Sequence, residues 1–171
     1  KRECESWYGA EIETARSAEF VDQYDVIRKR RYVNGPAGAQ CTVKLKKEVR
    51  FSVEKSNAYK HQVFGFEYAR REINRAIRFK EQFPHTKPIF PLIEKRMTKP
   101  ESLHYLEEAG IAAPAMYQLG YSNNNCIGCV KGGAGYWNKV RVDFPEHFAK
   151  MAKLEREVGR SCLNGTFLDE L

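Results

Sequence analysis

The sequence predicts an α/β layered fold with a largely parallel sheet. Two observations support this class: short strand-like runs alternate with amphipathic helical segments, and one strand-like run reaches Gly65 just before a helical segment. In open sheets of this kind, ligands bind beyond the carboxyl ends of the strands. Gly65, the arginine-rich helix that follows it and the "FPLIE" loop (90–94) are therefore where we expect a ligand.

Three extended segments are predicted as strands: "AEIETAR" (10–16), "HQVFGF" (61–66) and "KPIFPLI" (87–93). Pro88 and Pro91 favour an edge position or a strand-end loop for the third, because proline cannot donate to a sheet ladder.

Apolar residues at spacings of three and four predict helices over 19–31, 41–54 and 67–82. Their expected buried faces consist of Phe20, Tyr24 and Ile27; Leu45, Val49 and Val53; and Ile73 and Ile77. Two further helices show start signals. Thr98 and Glu101 form a capping-box pattern in "TKPESLHYLEEAG", with Gly110 as the stop. The last helix is expected to begin at "DFPE" with Asp143 as its cap, and to bury Phe148, Met151 and Val158.

With 171 residues, of which 42% are hydrophobic and 30% charged, the chain is expected to be a soluble globular domain. It contains no apolar run long enough for a bilayer and no signal-peptide pattern, so we expect a cytoplasmic protein without membrane contacts. The sequence opens on polar, helix-like residues without a start methionine, and we expect it to begin inside a larger domain.

The net charge of +7 is concentrated in three clusters, at 27–31, 44–50 and 70–78. Clusters of this kind favour anionic partners such as nucleotide phosphates, sulfate or a nucleic-acid backbone. A solvated basic surface is the alternative for each of them.

Five cysteines occur at uneven spacing: Cys4, Cys41, Cys126, Cys129 and Cys162. Their odd number, with no sign of export, argues against a disulfide framework. Asparagines precede and glycines follow the pair in "NNNCIGCVKGG", so we predict a loop rather than a redox pair at a helix start. Metal binding and unligated thiols in a turn both remain open. Zinc would need further ligands, such as Cys41 and a histidine, and an iron–sulfur cluster would need further thiolates.

Three segments carry a shared pattern: "GFEYARREINRAIRF", "PIFPLIEKRMTKPESLHYLEEAGI" and "YSNNNCIGCVKGGAGYWNKVRVDFPE". Together they resemble the phosphoadenosine phosphosulfate (PAPS) reductase family, in its phage and bacterial branch. The resemblance runs from about residue 20 to the C-terminus. It implies one PAPS reductase-like domain over 1–171, with the cysteine-pair loop region at 111–143. The implied fold is the Rossmann-like fold of the adenine nucleotide α-hydrolase superfamily.

The resemblance also implies a metal site. Cluster-bearing relatives place one or two cysteines before a basic helix, which corresponds to Cys41 in "QCTVKLK". We therefore expect Cys41, Cys126 and Cys129 to hold a four-iron cluster that keeps one iron open, with zinc as the alternative. The expected nucleotide is ATP or a PAPS-type sulfonucleotide.

Three features depart from the family pattern. The "SGGKDS"-like pyrophosphate loop and its first strand are absent from these residues, and we expect them upstream. Cys162, in "GRSCLNG", matches the reductase tail poorly and is expected to be a core thiol at a helix end. Glu67 stands where the family has an arginine, so Arg71, Arg75 and Arg78, together with Lys46, are the expected phosphate or sulfate ligands. Ordinary surface charge is the alternative for them.

Two main functions follow from these observations. The first is an enzyme, either an ATP-dependent sulfurtransferase or a sulfonucleotide reductase-like protein, with an adenylyl nucleotide as ligand and DNA or tRNA as a candidate acceptor. The absence of a reductase tail favours sulfur transfer. The second is a non-catalytic, metal-stapled basic module that binds nucleic acid or a partner protein. A zinc-stapled structural domain is a third reading, and the sequence leaves a homodimer open.

Overall fold

The computed structural model describes residues 1–36, 38–57 and 61–171. The protein is rich in helix, at 56%, and has a small parallel sheet. In chain order the helices and strands are α1 (Arg2–Tyr8), α2 (Gln23–Arg30), α3 (Gln40–Thr42), a π-helical segment (Val43–Lys47), α4 (Glu48–Ser56), β1 (Gln62–Val63), α5 (Arg70–Gln82), a 3-10 turn (Pro84–Thr86), β2 (Pro88–Ile89), α6 (Pro91–Glu94), α7 (Lys99–Glu108), α8 (Ala115–Gln118), α9 (Ala134–Asp143), α10 (Pro145–Val158) and a final 3-10 turn (Leu168–Glu170).

The chain divides into two compact units. The first contains Lys1–Ala10 and Asn57–Gln118, and the second contains Glu11–Ser56 and Leu119–Leu171. The single domain expected over 1–171 stays a prediction.

The sheet of the first unit is a parallel pair joined through α5. Gln62 is opposite Pro88 and Val63 is opposite Ile89. Phenylalanine rings gather around this pair, with the ring of Phe64 centred 4.6 Å from that of Phe79 and 5.9 Å from that of Phe90. The strand–helix–strand order agrees with the predicted α/β class in its coarse form, in a unit where helices predominate.

Two predictions about the burial of strands and helices are wrong. Residues 10–16 form no strand, and all seven are exposed. Among the described residues no strand pairs with them, and Ile12 on their alternating face is 37% exposed. On α5, Ile77 is 52% exposed and Ala76 is buried instead. The helix therefore turns a slightly different face inward than the spacing of its isoleucines indicates.

The core of the second unit is formed by α2, α9 and α10, with α10 packed against both of the others. Trp137, Met151 and Leu154 are at most 1% exposed. The predicted face of the 19–31 helix is confirmed, because Phe20, Tyr24 and Ile27 are all buried. The observed helix is shorter and begins after Asp22, whose side chain accepts a hydrogen bond from the N–H of Asp25 at 2.8 Å.

Both predicted helix starts are confirmed, but one of the two predicted caps is wrong. Thr98 caps α7, and its backbone N–H donates to the Glu101 carboxylate at 2.7 Å, as the capping box requires. Asp143, in contrast, ends α9, and its carboxylate lies 2.9 Å from Lys139 Nζ. Helix α10 begins at Pro145 with Phe144 before it, because proline suits the first helical position and needs no hydrogen-bond acceptor there.

Among the described residues, no helix combines the length and the apolar character that a membrane crossing requires.

Candidate metal centre in the second unit

Cys126 and Cys129 lie in a loop that is clamped by Tyr136, from the first turn of α9. The Tyr136 hydroxyl donates to the carbonyl oxygen of Cys126 at 2.9 Å and accepts from the N–H of Cys129 at the same distance. One side chain thus bonds the backbone of both cysteines. The prediction of a loop rather than a helix start is confirmed, since neither cysteine is helical.

Two side chains from the N-terminal half of the second unit hold the same loop. Gln23 Nε2, at the start of α2, donates to the carbonyl oxygen of Ile127 at 2.9 Å. The side-chain amide of Asn34 donates to the carbonyl oxygen of Val130 at 3.1 Å. The carbonyl groups between and after the cysteines are therefore bonded to protein, which fixes the loop against α2.

Two glycines permit the turn. Gly128 has φ +73°, a left-handed conformation that side-chain-bearing residues rarely adopt. At Gly132, an added Cβ would lie 2.0 Å from Cδ1 of Tyr136, so only glycine leaves room for that ring. The "CIGCVKGG" sequence therefore meets steric requirements of the loop, whatever the loop binds.

Cys41 reaches the same region from α3, which packs against α2. Burial is the main reason that the pKa of the Cys41 thiol is raised, and the charge of Cys129 raises it next, with a smaller effect from Cys126. Lys131 acts on the same thiol and lowers its pKa. The Cys41 thiol thus interacts electrostatically with both cysteines of the pair, and the Cys162 thiol interacts in the same way with Cys41 and Cys129.

The chemistry of this donor set fits a thiolate-bound metal. All three cysteines are free, with Cys126 exposed and the other two half-buried. Thiolates are the usual ligands of iron–sulfur clusters and common ligands of zinc. Within residues 1–36, 38–57 and 61–171, however, no three histidine, cysteine, aspartate or glutamate side chains are arranged to hold a metal ion.

Cys162 is a buried thiol, as expected from the sequence, and it has an unexpected neighbour. Glu155 on α10 is fully buried, and its carboxylate accepts hydrogen bonds from the N–H groups of Cys162 and, at 2.7 Å, Leu168. Burial first, and then the charge of Glu155, raises the pKa of the Cys162 thiol. A thiol held in its protonated form is a poor nucleophile.

Two of the four residues expected to bind phosphate or sulfate contact other groups of the protein, and the other two are exposed. Arg75 pairs with Glu72 at 3.1 Å and lies 4.4 Å from the centre of the Phe66 ring. Arg78 donates to a carbonyl oxygen of its own helix, that of Asn74, at 3.3 Å. Arg71 is exposed on α5, and Lys46 is exposed in the π-helical segment of the second unit.

A cavity of about 240 Å³ lies in the first unit at the place where a ligand was expected. Gly65, two residues after β1, Glu72 from α5 and Leu92 from the "FPLIE" segment all line it. This segment forms the short helix α6 over Pro91–Glu94, so the prediction of a loop there is wrong. The lining also contains Glu67, Lys99, Ser102, Leu103, Leu106 and Tyr117, and none of the three arginines. Sequence reasoning missed Lys99 and Tyr117, although the position of Lys99 in the first turn of the capped helix α7 is a usable signal.

No protein-family model matches this sequence, and neither a curated protein nor a solved structure gives a significant match. The resemblance to PAPS reductases therefore rests on the motifs themselves.

Proposed function

We propose that the protein is PAPS reductase-like and acts in ATP-dependent sulfur transfer or sulfonucleotide processing. In this proposal Cys41, Cys126 and Cys129 hold a four-iron cluster, and the Rossmann-like fold of the adenine nucleotide α-hydrolases provides the scaffold. The observation that supports it best is the position of Cys41: it lies on α3, which packs against α2, and Gln23 of α2 bonds the loop between Cys126 and Cys129.

A cluster and a single zinc ion make different demands on these three sulfurs. Zinc binds all its thiolates at about 2.3 Å from one point. A cluster binds each thiolate through a different iron, so the sulfurs stand further apart. With three protein thiolates, a bound cluster would keep one iron free to hold the sulfide that sulfur transfer consumes. We prefer the cluster, with zinc as the alternative.

Metal analysis after anaerobic purification tests this centre. We expect iron and acid-labile sulfide in the wild type, and a loss of most of both in Cys41→Ala. Cys4→Ala is the matched control, because Cys4 is an exposed thiol in the other unit and should leave the metal content unchanged. Equal metal content in Cys41→Ala and the wild type would exclude a three-cysteine site, and zinc without sulfide would exclude the cluster.

For the nucleotide, we propose the cavity of the first unit. Leu92, Leu103 and Leu106 offer apolar contacts to a base, and Lys99 Nζ lies 5.8 Å from the centre of the Tyr117 ring in the same lining. The Lys99 ammonium group would attract phosphate, and a carboxylate such as Glu67 is a suitable acceptor for ribose hydroxyls. Arg71, Arg75 and Arg78 lie outside this lining and Lys46 belongs to the other unit, so their role as phosphate or sulfate contacts is a separate prediction.

Binding of a fluorescent ATP analogue tests the cavity. Lys99→Gln should weaken binding about tenfold, as expected for the loss of a charged hydrogen bond. Lys95→Gln removes the same charge from an exposed position of the same unit outside the cavity lining and should have little effect. If the two variants bind the analogue equally well, the nucleotide does not use this cavity.

In the sulfur-transfer reaction, ATP would convert an acceptor oxygen into an adenylate with release of pyrophosphate. Sulfide would then form a carbon–sulfur bond as the carbon–oxygen bond to AMP breaks. Pyrophosphate release that depends on the acceptor would support an enzyme. Nucleic-acid binding without any turnover of ATP would support the non-catalytic basic module, which the exposed positions of Arg71 and Lys46 favour.

A further inference from the structure

A groove of about 690 Å³ lies beside α7 in the first unit, and its volume is within the usual range of ligand sites. Helix α7 contributes Pro100, Leu103, His104 and Glu107, and the segment 110–113 that follows the helix forms the rest of the lining. We call this the α7 groove. Leu103 also lines the cavity proposed for the nucleotide and the other lining residues do not, so the two sites use largely different faces of the helix.

The C-terminal end of α7 shapes this groove. Gly110 has φ +68°, and its N–H donates to the carbonyl oxygen of Glu107 at 2.9 Å. The N–H of Ile111 donates to the carbonyl oxygen of Leu106, also at 2.9 Å. These two bonds form a Schellman motif, which ends a helix and turns the chain away from its axis. The segment 111–113 therefore leaves the helix and lines the groove beside it.

The backbone of Ala112 offers hydrogen bonds at this groove. Among the described residues, neither its N–H nor its carbonyl oxygen has a protein partner. Pro114 disfavours a helical conformation for Ala113 before it, which suits an extended chain here. In an extended chain the N–H and C=O of one residue point to the same side and can exchange both bonds with one residue of a neighbouring strand. Ala112 is thus placed for strand addition by an extended peptide.

The rim of the groove is negatively charged. The side chains of Glu107 and Glu108 are 85% and 63% exposed, and among the described residues neither pairs with a lysine or arginine. Their neighbour is the His104 ring, 3.8 Å from the Glu107 carboxylate and 3.4 Å from that of Glu108. A neutral imidazole cancels neither charge. In a chain with a net charge of +7, this rim attracts a basic ligand that the molecule as a whole repels.

We propose that the α7 groove binds an extended segment of a partner protein in which apolar residues alternate with lysine or arginine. The apolar side chains contact Leu103 and Ile111, which are half-buried, and the backbone pairs with Ala112. The basic side chains reach the carboxylates of Glu107 and Glu108 at the rim. The site goes beyond the proposed function, because this binding needs neither the metal centre nor a nucleotide.

Fluorescence anisotropy of the full chain with a labelled peptide of alternating lysine and leucine tests the proposal. We expect saturable binding of this peptide, and little binding when serine replaces its leucines or glutamate its lysines. The double variant Glu107→Gln, Glu108→Gln should weaken binding about fivefold, as expected for the loss of two exposed charge pairs. The double variant Glu81→Gln, Glu94→Gln is the matched control, because it removes two exposed carboxylates of the same unit that lie outside the groove.

A second variant separates the groove from a general attraction between charges. Ala112→Lys places a cation in the groove and should weaken binding of the basic peptide severalfold, whereas Ala112→Glu should not weaken it. Ala112 is exposed, so neither change is expected to unfold the protein, and circular dichroism checks this point.

The proposal is overturned if the two glutamate double variants bind the peptide alike, or if the serine peptide binds as tightly as the leucine peptide. Self-association of the chain in sedimentation experiments, lost in Glu107→Gln, Glu108→Gln, would also overturn it, because the occupant would then be a second copy. Metal content and binding of the ATP analogue should be the same in all these variants. Failure of the groove therefore leaves the proposed function untouched, and failure of the proposed function leaves the peptide result interpretable.

Discussion

The Tyr136 hydroxyl donates to the carbonyl oxygen of Cys126 at 2.9 Å, from a position three residues after the glycine pair. Its oxygen also accepts the N–H of Cys129. A single phenol therefore sets the distance between the backbones of the two paired cysteines, and any metal held by their sulfurs depends on this tyrosine indirectly.

Tyr136→Phe removes this clamp and keeps the ring. Two hydrogen bonds at about 0.5–1.5 kcal/mol each predict a loss of about 1–3 kcal/mol in the free energy of unfolding, measured in urea. We also expect weaker retention of metal during dialysis against a chelator. Tyr117→Phe serves as the control for removing a phenol, since Tyr117 belongs to the other unit. Unchanged stability and metal retention in Tyr136→Phe would show that the hydroxyl does not hold the loop.

Gly132→Ala should disturb the same two hydrogen bonds by displacing the Tyr136 ring. The added Cβ would lie 2.0 Å from one ring carbon of Tyr136 and 2.6 Å from another, so the ring must move. Overpacking of this kind typically costs about 1–3 kcal/mol in the free energy of unfolding. Gly133→Ala is the matched control, because nothing lies within 4 Å of its added Cβ and its φ of −81° suits any residue.

A double variant separates the steric effect from a general intolerance of alanine. In a Tyr136→Ala background the ring is absent, so adding Gly132→Ala should change the unfolding free energy by only a few tenths of a kcal/mol. A penalty that persists without the ring would mean that the backbone, rather than Tyr136, requires glycine at this position.

The local signals in the sequence proved reliable where neighbouring residues decide the structure. Thr98 and Glu101 cap α7 because the capping box needs only a four-residue pattern. The asparagines and glycines around Cys126 predict a loop because they favour turns locally. The start of α10 within "DFPE" is confirmed, but its cap is Phe144 and not Asp143, because Asp143 is the last residue of α9. The sequence alone does not show to which of the two adjacent helices Asp143 belongs.

Longer-range features could be predicted only in part. The parallel pairing of β1 with β2 follows from the strand–helix–strand order. Residues 10–16 alternate like a strand, but a strand forms only where another strand and a buried face are available, and the sequence does not display either. The bonds from Gln23 and Asn34 to the cysteine loop span about a hundred residues, and no local pattern marks them. Glu155 in "LEREVG" reads as a surface residue of a charged helix, yet it is buried.

Glu155→Gln should destabilise the second unit although its shape is conserved. The amide nitrogen of glutamine would face a backbone N–H, of Cys162 or Leu168, where the carboxylate oxygen now accepts a hydrogen bond. A buried donor left without an acceptor costs about 1–3 kcal/mol, to be measured by urea unfolding. Glu157→Gln is the control, because Glu157 is exposed and pairs only at the surface, with Arg28 at 2.9 Å. Equal stability of the two variants would contradict a structural role for the buried carboxylate.

The C-terminal turn should make stability depend on acid pH. Arg156 donates to Asp169 and Glu170 at 2.7 Å each. Hydrogen bonding to Arg156 is the first cause that lowers the pKa of Asp169, whereas for Glu170 the backbone N–H of Phe167 comes first and Arg156 second. A carboxyl whose pKa is lower in the folded state binds more protons when unfolded, so its stabilisation is present above the unfolded pKa of about 4 and is lost as pH falls further.

Arg156→Gln should therefore reduce the pH dependence of the melting temperature below about pH 4.5, while the difference from the wild type above that range stays constant. All these groups are exposed, so the difference should also shrink in high salt. Arg141→Gln, which removes an arginine without a carboxylate partner in the described structure, should leave the slope unchanged. If Arg156→Gln keeps the full acid slope in low salt, other carboxylates such as Asp25 or Asp143, whose pKa values are also lowered, carry the acid sensitivity instead.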